Sequence, residues 1–336
     1  MKMDRDKTYI ARIEHYKWYH TTMMRIGDCD PAYPALCYVA DRFELNIEQR
    51  FWLAFLFQAT YCVPTTFYIY NEFPDFENVD ITRMKIWWKE NKHRLLFQTD
   101  RAKVKNFDKL VPMFRSYKKL IAGAQAKAFN KLITPDVYET YDNMYSFCNN
   151  VYYIGRFSLF LYLESIQRLT NFPMQPSGLD LPNASSCTYG LCYAVGLDAW
   201  DKDKKQFDTS DYRHFQRELS KIHKELTEEH KELPINYWNI ETSLCAYKKL
   251  YRKKRYLGYY IDRLMDEIIV MQNNVKEGVS WKVLWDFRRE YFHKSHLGEF
   301  KGYTGVRKQM FGLPNTSWGE YEGEYKEKVR FEYAKS

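Results

Sequence analysis

The chain has few of the residues that punctuate or cross-link a fold. Its 14 glycines and 11 prolines are scattered over 336 residues without a linker-like or low-complexity run, which predicts a compact body and no flexible tether. The seven cysteines, at 29, 37, 62, 148, 187, 192 and 245, are odd in number and form no CxxC pair. That excludes a disulfide framework and a zinc ribbon and leaves buried thiols of a reducing compartment. The longest apolar run, Phe51 to Val63, is interrupted by Gln58 and too short to span a bilayer, and the first twenty residues lack the apolar centre of a secretory signal. A soluble, cytoplasmic protein is expected. The eight histidines build no HExxH and no HxE with CxxC, so zincin and zinc-deaminase chemistry lack support and no metal is expected. GxSxG, P-loop, GxGxxG and kinase motifs are also missing, and no cofactor is expected.

What is present is charge and aromatic surface. Lys and Arg total 51 against 43 Asp and Glu, a formal charge of +8 with a pI of about 8.9, just below the value usual for a DNA-binding domain. Aromatic residues make up 18% of the chain, with 29 Tyr and 22 Phe, enough for a large core and a surplus of rings with a polar handle.

Most segments read as helices. Phe51 to Tyr70 is one helix kinked at Pro64 or a pair of helices, because proline has no amide to donate. Further helices are expected at 82–92, 106–123, 124–133, 137–147, 155–170, 210–233, 239–257, 259–274 and 281–291, with Thr134 as an N-cap ahead of Pro135. Residues 171–205 hold Pro173, Pro176, Gly178, Pro182, Gly190 and Gly196 and read as a loop-rich central crossing, where Asp180, Ser185, Ser186 and Tyr189 could belong to a lid. The fold class is mainly α. The expected organisation is an N-terminal extension (1–45), one helical catalytic domain (46–292), or two subdomains parted near 171–209, and a C-terminal tail (293–336).

The window from Glu241 to Arg263, ETSLCAYKKLYRKKRYLGYYIDR, is the most informative. From Lys248 to Arg255 six of eight residues are Lys or Arg, too many for one solvated stripe, and tyrosines interleave them. Rings beside cations are the usual equipment for holding an unpaired base next to its phosphates. Gly258 reads as a helix stop, and the next helix carries Asp262 and Arg263 on its first turn.

Five strings, NEFPDFENVD (71–80), QTD (98–100), GRFSLFLYLES (155–165), GLCYAVGLDAW (190–200) and the 241–263 window, resemble the α-glutamyl/putrescinyl thymine pyrophosphorylases of clade 2, also called amino acid:DNA transferases. The resemblance spans about residues 45–270. It implies a bacteriophage enzyme, acting in the host cytoplasm, with a fold related to the helical DNA glycosylases. The Leu257, Gly258, Tyr259 turn is similar to a helix-hairpin-helix without its second glycine. The implied reaction joins an amine or amino acid to a thymine-derived base whose 5-hydroxymethyl group a separate hydroxymethyluracil DNA kinase has converted to a diphosphate, which then leaves.

Such a reaction needs fixed cations for the departing diphosphate, for which Lys248, Lys249, Arg252, Arg263 and Arg156 are candidates. It also needs a carboxylate to take or orient the amine's proton, for which Asp262 and Glu241 are candidates. Tyr259 is expected at the substrate, Glu72 and Asp75 could hold its ammonium group, and Lys253, Lys254 and Arg255 are expected on DNA. Two other readings share these residues: a DNA glycosylase or lyase using Asp262 and Lys249, and a non-catalytic DNA-binding protein.

Overall fold

The structure, a computed structural model, describes residues 5–97, 107–195, 207–251, 255 and 257–293. Among these residues there are fourteen α-helices and no strand. The chain divides into two compact units, one made of residues 1–31, 176–263 and 291–336, the other of 32–175 and 264–290. The segment expected as an N-terminal extension is therefore shared out: helix α1 (Arg5–Arg25) belongs to the first unit and α2 (Ala32–Arg42) to the second.

The second unit is built on α3 (Ile47–Thr60), α4 (Val63–Glu72), α5 (Ile81–Asn91), α6 (Phe107–Ile121), α7 (Gln125–Asn130), α8 (Val137–Cys148) and α9 (Arg156–Thr170), and also holds α14 (Lys282–Tyr291) up to Glu290. Asn46 and Gln49 form a capping box that starts α3, each bonding the other's backbone amide. The expected kink near Pro64 is a full break. Tyr61 sits in the left-handed region at φ 48°, and Pro64 takes the first turn of α4, where its missing amide costs nothing. Much of the aromatic surplus is spent here in packing: Trp52, Phe55, Phe114 and Tyr117 are buried, with Phe55 stacked 4.1 Å from Tyr117. Two of the buried hydroxyls form a chain, Tyr162 donating to Tyr117 at 2.8 Å and Tyr117 to the Gln125 side chain at 2.7 Å. At α8 the cap is Asp136, whose carboxylate accepts the Tyr138 amide at 2.8 Å, and not Thr134, whose hydroxyl donates to the Asp136 carbonyl.

The first unit contains α1, a 3-10 turn (Leu181–Asn183), α10 (Ser185–Val195), α11 (Thr209–Glu229) and α12 (Tyr237–Tyr251), and the first turn of α13 (Tyr259–Asn274). Here the structure departs from the expected loop-rich crossing: residues 185–195 are helical. Gly190 read as loop punctuation is a packing glycine, because a Cβ there would lie 2.0 Å from the Leu244 carbonyl oxygen. The α10 and α12 backbones meet at that point, and only a residue without a side chain permits it.

Candidate active site

The site is assembled in the first unit from the end of α1, from α12 and from the start of α13. Helix α12 is capped by Asn236, whose side chain accepts the amides of Trp238 (3.0 Å) and Asn239 (3.2 Å), while the Asn239 side chain accepts the Asn236 amide at 3.1 Å. With the helix start so satisfied, Glu241 is not needed as a cap. It is buried at 7% exposure, and its Oε1 receives the Cys245 thiol at 3.0 Å. Glu241, Cys245 and Lys248 follow i, i+4, i+7 spacing and so share one face of α12. The half-buried Lys248 places its ammonium 5.0 Å from the centre of the Tyr189 ring, a cation–π contact with α10. Lys249, also half-buried, faces an adjoining side of the helix.

Behind this face lies a buried polar chain. Tyr16 and His20 of α1 each approach the Ser243 hydroxyl at 2.8 Å. His20 is fully buried, its Nε2 meets no hydrogen-bond partner, and burial, with His230 and His223 adding to it, pushes its pKa down to about 3, so it is neutral.

The turn that follows α1 delivers the central carboxylate. Gly27 adopts φ 76° as the residue just past the helix, Asp28 donates its amide to the Met23 carbonyl at 2.8 Å and Gly27 to that of Met24 at 3.2 Å, the pattern of a Schellman motif. The Asp28 side chain, wholly buried, then accepts three amides at the start of α13: Gly258 (2.8 Å), Tyr260 (2.8 Å) and Ile261 (3.1 Å). Burial pushes its carboxyl up to about 8, and Asp262 pushes the same way, while the three amides pull it back toward the ionised form. The anion-binding amides of that helix terminus are thus already occupied by a residue of the chain itself.

Asp262 is fully buried on the same turn and donates its own amide to the Gly258 carbonyl at 3.1 Å. Arg255 is 8% exposed; its guanidinium lies 4.7 Å from the Tyr259 ring centre and 4.6 Å from that of Tyr260, and it donates to the Tyr260 hydroxyl. Arg255 is therefore enclosed by rings and anchors the turn into α13. Tyr259 and Arg263 are half-buried beside it. Arg252, Lys253 and Lys254 lie outside the described residues.

The remaining sequence candidates belong to the second unit. Glu72, at the end of α4, pairs with Arg83, whose guanidinium stacks 5.2 Å over Phe73. Asp75 closes its own turn, accepting the Glu77 amide at 2.9 Å and the Asn78 side chain at 2.6 Å, and the Asn78 bond holds its carboxyl below the ordinary range. Arg156 opens α9 directly after Gly155.

A family model described as amino acid:DNA transferase matches residues 24–256, more than half of the chain. The chain belongs to the amino acid:DNA transferases. A serinyltransferase of Salmonella phage ViI is similar to it, 28% identical over 310 residues that cover 83% of this chain and 74% of the relative. The protein is thus a transferase that acts on DNA with an amino acid. No described helix is long and apolar enough to cross a membrane.

The matched span includes Asp28, Glu241, Lys248 and Lys249 and ends before Tyr259, Asp262 and Arg263. Asp28 is the residue of this transferase that sequence reasoning missed. Its local signal was Gly27 directly after a helical run, the mark of a C-terminal cap. Its partners are 230 to 233 residues away, beyond any local pattern.

Proposed function

We propose that the face of α12 bearing Glu241 and Lys248 displaces diphosphate from the 5-methylene carbon of a diphosphate-activated 5-hydroxymethyluracil in DNA. The incoming amine forms the carbon–nitrogen bond as the carbon–oxygen bond to diphosphate breaks, the electron pair leaving with the diphosphate and the amine's surplus proton passing to a carboxylate. Glu241 suits that last role: it is nearly buried, and it falls inside the family match. Lys248 stands two helical turns away, about 10 Å along the axis at 1.5 Å per residue, a spacing that separates a proton acceptor from a cation that receives the leaving group. Lys249 and Arg263 are further cations for the diphosphate, and Asp262 is the second candidate base. The observation that carries the reading is the family match across α12.

An ATP-binding motif is absent from the sequence, so the diphosphate has to be installed by a separate kinase acting on hydroxymethyluracil in DNA. Serine is the first amino acid to offer, since the phage ViI relative is a serinyltransferase. The test is mass spectrometry of nucleosides from DNA incubated with the protein and serine or other amino acids. DNA carrying the diphosphate should gain the amino acid, whereas DNA carrying plain 5-hydroxymethyluracil should not. Product from the plain DNA overturns the need for activation, base loss marks a glycosylase, and no change with any amino acid overturns the transfer assignment.

A further inference from the structure

The second unit carries a groove lined by none of the residues assigned above to the transfer step. It is open, about 710 Å³ in volume, and walled by Arg115, Ser116 and Lys119 of α6 and by Asn150 and Tyr152 of the turn between α8 and α9. That volume falls in the range of ligand sites, roughly 300–1,000 Å³. Arg115 and Lys119 are both exposed and stand at i and i+4, where like charges repel. No carboxylate among the described residues pairs with either, and none lines the groove.

The opposite wall is fixed against α6. The Tyr152 amide donates to the Ser116 hydroxyl at 2.9 Å, and that hydroxyl donates to the Met113 carbonyl at 2.8 Å. Asn150 is held in turn by the carbonyls of Ser146 (3.0 Å) and Phe147 (3.1 Å). This rigid turn presents the Tyr152 ring at 65% exposure, the most exposed large ring of the described residues, with no aromatic partner among them. An unpaired Arg and Lys beside a bare ring form a site for phosphate and for a stacked base together.

We propose that this groove holds an unpaired stretch of the DNA substrate, two backbone phosphates lying on Arg115 and Lys119 and a base on Tyr152. The inference rests on the DNA-transferase reading and adds a strand-holding surface to it. Enzymes that alter a base must take it out of the duplex, and an unpaired strand then needs a surface to rest on.

Binding of a fluorescently labelled, thymine-rich single strand to the full chain, titrated against salt, tests it. The double variant Arg115→Gln with Lys119→Gln should bind more weakly, and its plot of log affinity against log salt should be shallower by about 1.4, about 0.7 for each lost phosphate. Tyr152→Ala should weaken the single strand about fivefold or more and Tyr152→Phe should bind as wild type, because stacking uses the ring and not the hydroxyl. A double variant with wild-type affinity and slope overturns the proposal, as does a Tyr152→Phe variant as weak as Tyr152→Ala. Equal losses on the matched duplex overturn the single-strand assignment. Variants that bind normally while the wild type transfers amino acid sink this inference alone, whereas a wild type that neither binds DNA nor modifies it sinks the reading beneath it.

Discussion

The α-hydrogen face of Gly190 lies against the carbonyl of Leu244, so closely that a Cβ would fall 2.0 Å from the oxygen. Both atoms belong to backbone, and neither can rotate away as a side-chain tip could. Gly190→Ala should therefore force α10 off α12 and cost about 3 kcal/mol or more, the upper end for overpacking. Urea denaturation with an unshifted midpoint would show that the two helices part more easily than their geometry implies.

Asp28 should also be costly to replace. Asp28→Asn keeps the shape but leaves one carbonyl to accept the three amides that two carboxyl oxygens now share, and it adds a buried NH2 group with no acceptor. A loss of about 1–3 kcal/mol is expected, the usual cost of a buried polar group left unsatisfied. Hydrogen exchange at the Tyr260 and Ile261 amides should quicken first. If those two amides remain as protected as in the wild type, the cap is not what holds the start of α13.

His20 sets an acid limit. Its folded pKa is depressed to about 3 against an ordinary 6.5, so the unfolded chain binds the extra proton between those values. Its contribution to stability is whole above pH about 6.5 and is lost as pH falls toward 3, at about 1.4 kcal/mol per pH unit in that window. His20→Asn should remove one proton's worth of that slope, whatever it does to stability at neutral pH. Parallel stability–pH curves for the two proteins would refute the assignment.

The α12 face predicts a division of labour. Glu241→Gln should lower turnover by about two to four orders of magnitude, the usual worth of a positioned base, and alkaline pH should restore part of it by supplying free amine. Lys248→Met should slow departure of the diphosphate without any such rescue. Asp262→Asn run beside them decides between the two carboxylates: a normal rate leaves Glu241 as the base, and a rescue confined to Asp262→Asn moves the role to Asp262. Single-turnover rates across the pH range provide the measurement.

Helices with clear periodicity were legible in the sequence. The segment expected at 259–274 is α13 to the residue, and that expected at 155–170 is α9 less one position. What escaped were features set by distant partners. Gly190 looked like a loop signal because nothing nearby reveals that another helix's backbone will press on it. Thr134 looked like a cap because it precedes Pro135, but Asp136, two residues on, takes that role with a stronger acceptor. The discontinuous make-up of the two units leaves no trace in local composition, since each is closed by segments far apart in the chain. For the candidate site, the 241–263 window pointed to Glu241, Lys248 and Asp262, but it could not show that Arg255 turns inward onto two tyrosine rings.

The bond from Asp28 to the Gly258 amide also fixes an order of events during synthesis. A ribosome releases Asp28 early, and 230 more residues must follow before its partner exists. Throughout that time the segments of the second unit up to residue 175 are already available to fold, while the turn after α1 holds the Asp28 carboxyl with no donors and α1 the hydroxyl of Tyr16 with no Ser243 to meet. The nascent chain therefore cannot complete the candidate site until nearly all of α12 and the beginning of α13 have emerged.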